Sequence, residues 1–112
     1  MSSRGWKFRV NDILEAIAKV QRFSKDITLD QFEADEILRE AIIRKLEIIG
    51  EASRHIPQEV RKLHSHIPWE DMNGMRNILI HKYFDVALDI VWHTVTNSLP
   101  ALQKQLEEIS LT

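Results

Sequence analysis

The chain has no cysteine among its 112 residues, which excludes disulfides, thiolate metal sites and cysteine nucleophiles together. Glycine and proline are scarce, three of each, so few points break the backbone and long helices are expected. No apolar run reaches the roughly 18 residues that argue for a membrane-spanning helix. The opening residues, Met1 to Trp6, lack the apolar core of a signal peptide, so a cytoplasmic protein with no membrane attachment is expected. An excess of positive charge is also missing: 15 Lys and Arg against 17 Asp and Glu give a formal net charge of −2. That balance argues against indiscriminate coating of nucleic acid, which draws on many cationic contacts to phosphate. Any nucleic-acid contact should be local. Basic residues do gather at Arg39, Arg44, Lys45, Arg54, Arg61 and Lys62, but interleaved with acidic ones, the pattern of a solvated helix face.

What remains is an ordinary folded composition, 44% hydrophobic and 29% charged, in a chain long enough for one core and too short for two. One domain over residues 1–112, with its core between about 8 and 110, is expected. Phe8, Ile13, Leu14, Ile17 and Ala18 follow helical spacing and define a first amphipathic helix ending near Ser24. Thr28-Leu29-Asp30-Gln31 has the form of a capping box leading into the next helix. That helix runs from about Asp35 to His55, with Ile37, Leu38, Ala41, Ile42, Leu46, Ile48, Ile49 and Ala52 on helical spacing. Gly50 lies inside it, where glycine costs about 1 kcal/mol against alanine, so a close approach by a neighbouring helix is expected there.

Pro57 and Pro68 suit the first positions of two further helices, Gln58 to His64 and Trp69 to about His81. A last helix, about Asp85 to Ile109, carries Leu88, Val91, Val95, Leu99, Leu102, Leu106 and Ile109 along one stripe. Pro100 should kink it or divide it after Ser98. No strand-like alternation occurs, so the class is all-α: an antiparallel bundle of four main helices with short additional ones.

Chemistry concentrates in Arg76-Asn77-Ile78-Leu79-Ile80-His81-Lys82-Tyr83. Arginine grips phosphate through a planar fork and histidine exchanges protons near neutral pH, a combination suited to a phosphodiester. Successive helical residues turn by about 100°, so Arg76 and His81 diverge by about 140° on one straight helix. Either the helix bends near Ile80 or a second subunit completes the site. A two-fold dimer that brings two Arg76 and two His81 into one cleft is the favoured solution. The bland reading of the octet is a capped helix end, with His81 against the helix dipole, Arg76 in a surface ion pair and Ile78, Leu79 and Ile80 in the core. His64-Ser65-His66 is read as a solvated turn and not a metal site, and the tryptophans Trp6, Trp69 and Trp92 as core or interface. Glu51 and Arg44, two turns apart on the second long helix, are candidate supports for Arg76.

The octet resembles the Arg-x4-His-x-Tyr signature of the HEPN superfamily, in particular its HepT-like toxin branch. Residues 44–52, Pro68-Trp69, Met75-Arg76-Asn77, Tyr83-Phe84 and Ile90-Val91-Trp92 resemble that family in the same order. The resemblance implies a prokaryotic, homodimeric, metal-independent endoribonuclease toxin that needs no cofactor. It implies Arg76 and His81 as catalytic residues; Asn77, four residues before His81 on the same helix face, is read as the orienter of phosphate or of His81. The resemblance further implies that Tyr83 is the target of AMPylation by a partner nucleotidyltransferase antitoxin similar to MntA; read from the residue alone, Tyr83 is a half-buried tyrosine packed at a helix end. A different class stays open, a noncatalytic HEPN binding module that docks a nucleotidyltransferase or nucleotide.

Overall fold

In the computed structural model of the protein, which describes residues 3–81 and 87–110 (the side chains of Ser3, Arg4 and His81 excepted), every regular element is a helix. Four are long: α1 (Ser3–Ser24), α3 (Glu36–Arg54), α5 (Trp69–His81) and α7 (Leu99–Ser110). Three are short: α2 (Leu29–Ala34), α4 (Gln58–Leu63) and α6 (Leu88–His93). The bundle is ordered around α3, which packs against both α1 and α5, while α7 closes onto α1. Val10, Ile13, Ile17 and Val20 of α1 meet Ile42, Leu46 and Ile49 of α3 and Leu102 and Leu106 of α7 in the buried core. Each such side chain stabilises the fold by about 1.5–3 kcal/mol through removal from water. No described helix is long and apolar enough to cross a membrane.

The helix ends follow their sequence signals. Thr28 and Gln31 form the capping box: the Gln31 N–H donates to the Thr28 hydroxyl at 3.2 Å and the Thr28 N–H donates to the Gln31 side chain at 2.9 Å. The box opens a helix of its own, the six-residue α2, where a short turn into the long second helix was expected. Asp35 then serves two helices. Its N–H donates to Gln31 at the end of α2, and its carboxylate accepts from the Leu38 N–H at 3.0 Å to cap α3, an interaction worth about 1 kcal/mol. Pro57 and Pro68 stand one residue before their helices, and the Pro68 carbonyl accepts the Met72 N–H within the first turn of α5.

The last helical run is divided after Ser98, as Pro100 requires. Between α6 and α7 lies a π-helical turn, Thr94–Ser98, in which the Leu99 N–H donates to the Thr94 carbonyl five residues back. The hydroxyls of Thr94 and Thr96 donate to the carbonyls of Ile90 and Trp92, a back-bonding that bends helices. The stripe from Val91 through Val95, Leu99, Leu102 and Leu106 to Ile109 is buried across this junction.

Three expected core positions point outward. Phe8 and Ile37 are exposed, and so is Ala18. The inward stripe of α1 is Trp6, Val10, Ile13, Ile17 and Val20; Phe8, two residues from both Trp6 and Val10, sits about 200° around the helix from each. Ile37 falls on the outer side of the first turn of α3, and Leu38 packs against the core in its place.

Candidate functional site

The site is built where α5 crosses α3. Met72 and Leu79, seven residues apart and both buried, are two turns apart on one face and seat α5 on the core. Between them Arg76 meets α3 at Gly50. A Cβ at residue 50 would collide with the Cβ of Arg76 and stand 2.8 Å from the Met72 carbonyl oxygen. The expected close approach at Gly50 is therefore real, and the residue it admits is the motif arginine.

Glu51, the next residue of α3, takes hold of that arginine. Its carboxylate lies 2.6 Å from the Arg76 Nε. The same carboxylate pairs with Arg54 at 3.4 Å and with the His55 ring at 3.3 Å. The bond from His55 holds the Glu51 carboxyl below its ordinary range against the opposing effect of desolvation, with the charges of Arg76 and Arg54 acting in the same downward direction. Glu51 thus stays ionised and the clamp stays charged. On its other side, Arg76 donates from Nη1 to the Asn77 side-chain oxygen at 3.2 Å. A guanidinium carries five N–H donors in a fixed fork, so with Nε and one Nη1 donor engaged the remaining donors, unpartnered among the described residues, can take an anion. The Arg76 side chain keeps 22% of its surface exposed, enough to be reached from solvent.

Arg76, Asn77 and Glu51 are thus brought together. Arg44 is not: it pairs with Glu47 at 3.5 Å on an exposed face, about 10 Å along α3 from Glu51 at 1.5 Å per residue. His81 is the last residue of α5, which is helical through Ile80. Tyr83 lies outside the described residues. Arg54 and His55 join the cluster although composition suggested only a solvated surface. The signal was present, since they follow Glu51 at the i+3 and i+4 spacing that brings helix side chains together.

The bland reading of the octet required Ile78, Leu79 and Ile80 in the core. Only Leu79 is buried; Ile78 is 55% and Ile80 43% exposed. Ile90 of α6, 66% exposed, lies with Ile78 along a cleft of about 660 Å³ also lined by Met72, Met75, Leu79 and Leu99. The tryptophans belong to the packing: Trp6 and Trp69 are buried, Trp69 donates to the His64 carbonyl, and Trp92 stacks on Phe32 at 4.9 Å. His64 to His66 form a turn between α4 and α5. Among the described residues no three His, Asp or Glu side chains are grouped to hold a metal ion.

Comparison with known proteins identifies the family. The sequence model of the family described as Ribonuclease HepT-like matches residues 13–109. The chain is 44% identical over 107 residues to a protein of Methanocaldococcus jannaschii named "Putative RNase", covering 96% of this chain and 98% of that one. It is 42% identical over 106 residues to a "Probable ribonuclease HepT" of Thermococcus cleftensis, covering 95% and 96%. A further RNase-named relative, from Caldanaerobacter subterraneus subsp. tengcongensis, is 46% identical over 85 residues, 76% of each chain. No solved structure matches.

Proposed function

The chain belongs to the HepT-like ribonuclease family, and from that premise we propose that it is a metal-independent endoribonuclease working as a homodimer, the toxin of a toxin–antitoxin pair. The observation that carries the reading is the seating of Arg76, held by Glu51 at a crossing that only glycine permits, with the remaining donors of its fork unpartnered among the described residues.

Cleavage requires a base for the 2′-hydroxyl proton, an acid for the leaving 5′-oxygen and positive charge on the phosphorane-like transition state. His81 exchanges the protons. Arg76 supplies the charge, and Asn77 fixes its fork. The 2′-oxygen forms its bond to phosphorus as the bond to the 5′-oxygen breaks, leaving a 2′,3′-cyclic phosphate and a free 5′-hydroxyl. DNA, which has no 2′-hydroxyl, is inert. The positions of Arg76 and His81 diverge by about 140° on a straight helix, which favours a composite cleft from two copies. The exposed Ile78, which lines one cleft with the exposed Ile90, supports the same arrangement, since exposed apolar side chains grouped at a site mark interfaces.

Transfer of AMP to the Tyr83 hydroxyl by a partner nucleotidyltransferase silences the enzyme in this reading. The adduct places an anion seven residues along the chain from Arg76 and competes for the phosphate site.

The test is incubation of purified protein with a structured RNA and its DNA equivalent in EDTA, beside His81→Ala, with analysis of product ends. RNA cut by the wild type alone, leaving 2′,3′-cyclic phosphate, is expected. A folded, dimeric, unmodified wild type that cuts no RNA means that the protein is a noncatalytic binding module.

A further inference from the structure

A second charged feature begins where the Arg76 clamp ends. Between α1 and α3 runs a groove of about 240 Å³ whose walls carry Arg9 and Lys19 from one helix and Arg44, Lys45 and Glu51 from the other. Glu51 is committed to Arg76, Arg54 and His55. Asp12 and Glu15 also line the groove, Glu15 accepting from the Asn11 side chain at 3.5 Å, so its four cations face two carboxylates that form no ion pair among the described residues. Glu15 and Lys19 have the spacing of a helix ion pair, yet no carboxylate among the described residues lies within ion-pairing distance of Arg9, Lys19 or Lys45. Arg44 has only its exposed contact to Glu47, a pairing of little energetic value. A chain with a net charge of −2 therefore concentrates unpaired positive charge along one groove that opens at the clamp of its motif arginine.

We propose that this groove is a subsite for the RNA backbone, in which Arg9, Lys19, Arg44 and Lys45 hold phosphates of the strand leading away from the scissile bond. The inference rests on the ribonuclease reading for the identity of its ligand. Arg9 and Lys19 are ten residues apart on α1, about 15 Å at 1.5 Å per residue, and Arg44 lies about 10 Å from Glu51 on α3. The row is long enough for more than one nucleotide. Lysine and arginine on exposed helix faces contact phosphate and sugar without reading bases, so the subsite selects for length of single strand and not for sequence. Release of counterions from the phosphates supplies its affinity.

RNA binding is measured in the cleavage-deficient His81→Ala background, with and without the triple change Arg9→Ala, Lys19→Ala and Lys45→Ala, using a single-stranded RNA of some twenty nucleotides over a range of salt. The expected result is an affinity at least tenfold weaker and a salt dependence shallower by about 2 in the logarithmic slope, since each phosphate contact on single strands contributes about 0.7. In the otherwise wild-type protein the same triple change raises KM for the long RNA and leaves cleavage of a dinucleotide within about twofold. The charge-conserving set Arg9→Lys, Lys19→Arg and Lys45→Arg keeps the wild-type affinity, which separates loss of charge from loss of fold; Lys19→Glu alone, on the exposed face, lowers affinity if the triple variant does not fold. Unchanged affinity and slope in a folded triple variant overturn the subsite, whatever the protein cleaves. Failure of the wild type to cut any RNA, with these binding differences intact, overturns the ribonuclease activity and leaves the subsite standing.

Discussion

The two faces of α5 are finished differently. Toward α3 the helix is locked: Met72 and Leu79 are buried, the backbone approaches Gly50 more closely than any side chain would allow, and Arg76 is tied to Glu51. Away from α3 it shows Ile78 to solvent, across a cleft from the exposed Ile90. The locked face fixes the position of the motif arginine without outside help. The bare face exposes apolar surface that a soluble chain hides when a partner is present. One helix therefore carries a fixed arginine on one side and an exposed apolar surface on another.

Charging the bare face breaks this comparison most severely. Ile78→Asp places a carboxylate in the apolar surface and should shift the protein from dimer to monomer in sedimentation or light scattering. If the site is composite, RNA cleavage falls by at least about a hundredfold with it, the scale on which removal of one transition-state-stabilising group is felt. A dimer that persists with full activity would show that α5 reaches its partner, or none, by another face.

The locked face is broken by a single methyl group. Alanine at Gly50 gains about 1 kcal/mol of helix propensity, but its Cβ meets the Arg76 Cβ and the Met72 carbonyl, both on the helix itself and not at the end of a flexible side chain. Overpacking of this kind costs about 1–3 kcal/mol net. Gly50→Ala should therefore lower the melting temperature and displace Arg76, so that activity falls by more than the folded fraction accounts for. Equal or higher stability would mean that the two helices separate at little cost, and the crossing would no longer explain why Arg76 sits where it does.

This crossing also shows how much the sequence reveals. The four long helices, the Thr28–Gln31 box and the division at Ser98 are local matters of side-chain spacing and capping chemistry, and they are readable residue by residue. The close approach at Gly50 is readable as well, because glycine inside a helix is unfavourable unless something requires it. Which residue arrives there is not readable: that Arg76 meets Gly50 depends on how far α5 slides along α3. For the same reason Glu51 is recognisable as a support for Arg76 while Arg44, on the same side of α3, lies two turns too far away. Phe8 and Ile37 mislead because periodicity finds apolar residues at helical spacing and does not tell which side of a short stripe meets the core.

A milder change tests the clamp without disturbing the packing. Glu51→Gln keeps the shape of the side chain and removes its charge, so Arg76 loses its ionic partner and activity should fall roughly tenfold through misplacement of the fork. The pH dependence gives the sign. The carboxyl of Glu51 is held below its ordinary value, so its contribution is fully present above the ordinary glutamate range, near pH 4.3, and is lost only as pH falls through the lower folded value. The gap between wild type and Gln should stay constant from pH 5 to 8 and narrow only in stronger acid. A gap that changes across neutrality would mean that the pairing with Arg76 does not follow the Glu51 carboxylate.

The smallest expected effect distinguishes the two faces with one kind of substitution. Gly74 is also inside α5, two residues before Arg76, but a Cβ there meets nothing within 4 Å. Gly74→Ala should raise stability by about 0.5–1 kcal/mol through the reduced freedom of the unfolded chain. That corresponds to a melting temperature higher by about 2–8 °C for a domain near this size, opposite in sign to Gly50→Ala. Because Gly74 lines the same cleft as Met75 and Ile78, the measurement also reports on what lies over that cleft in solution. A gain at protein concentrations where the dimer is populated places the partner's contact at Ile78 and beyond, leaving Gly74 open. A loss that appears only at those concentrations would mean that a second copy approaches Gly74 as closely as α3 approaches Arg76, making the bare face of α5 a glycine-dependent crossing of its own.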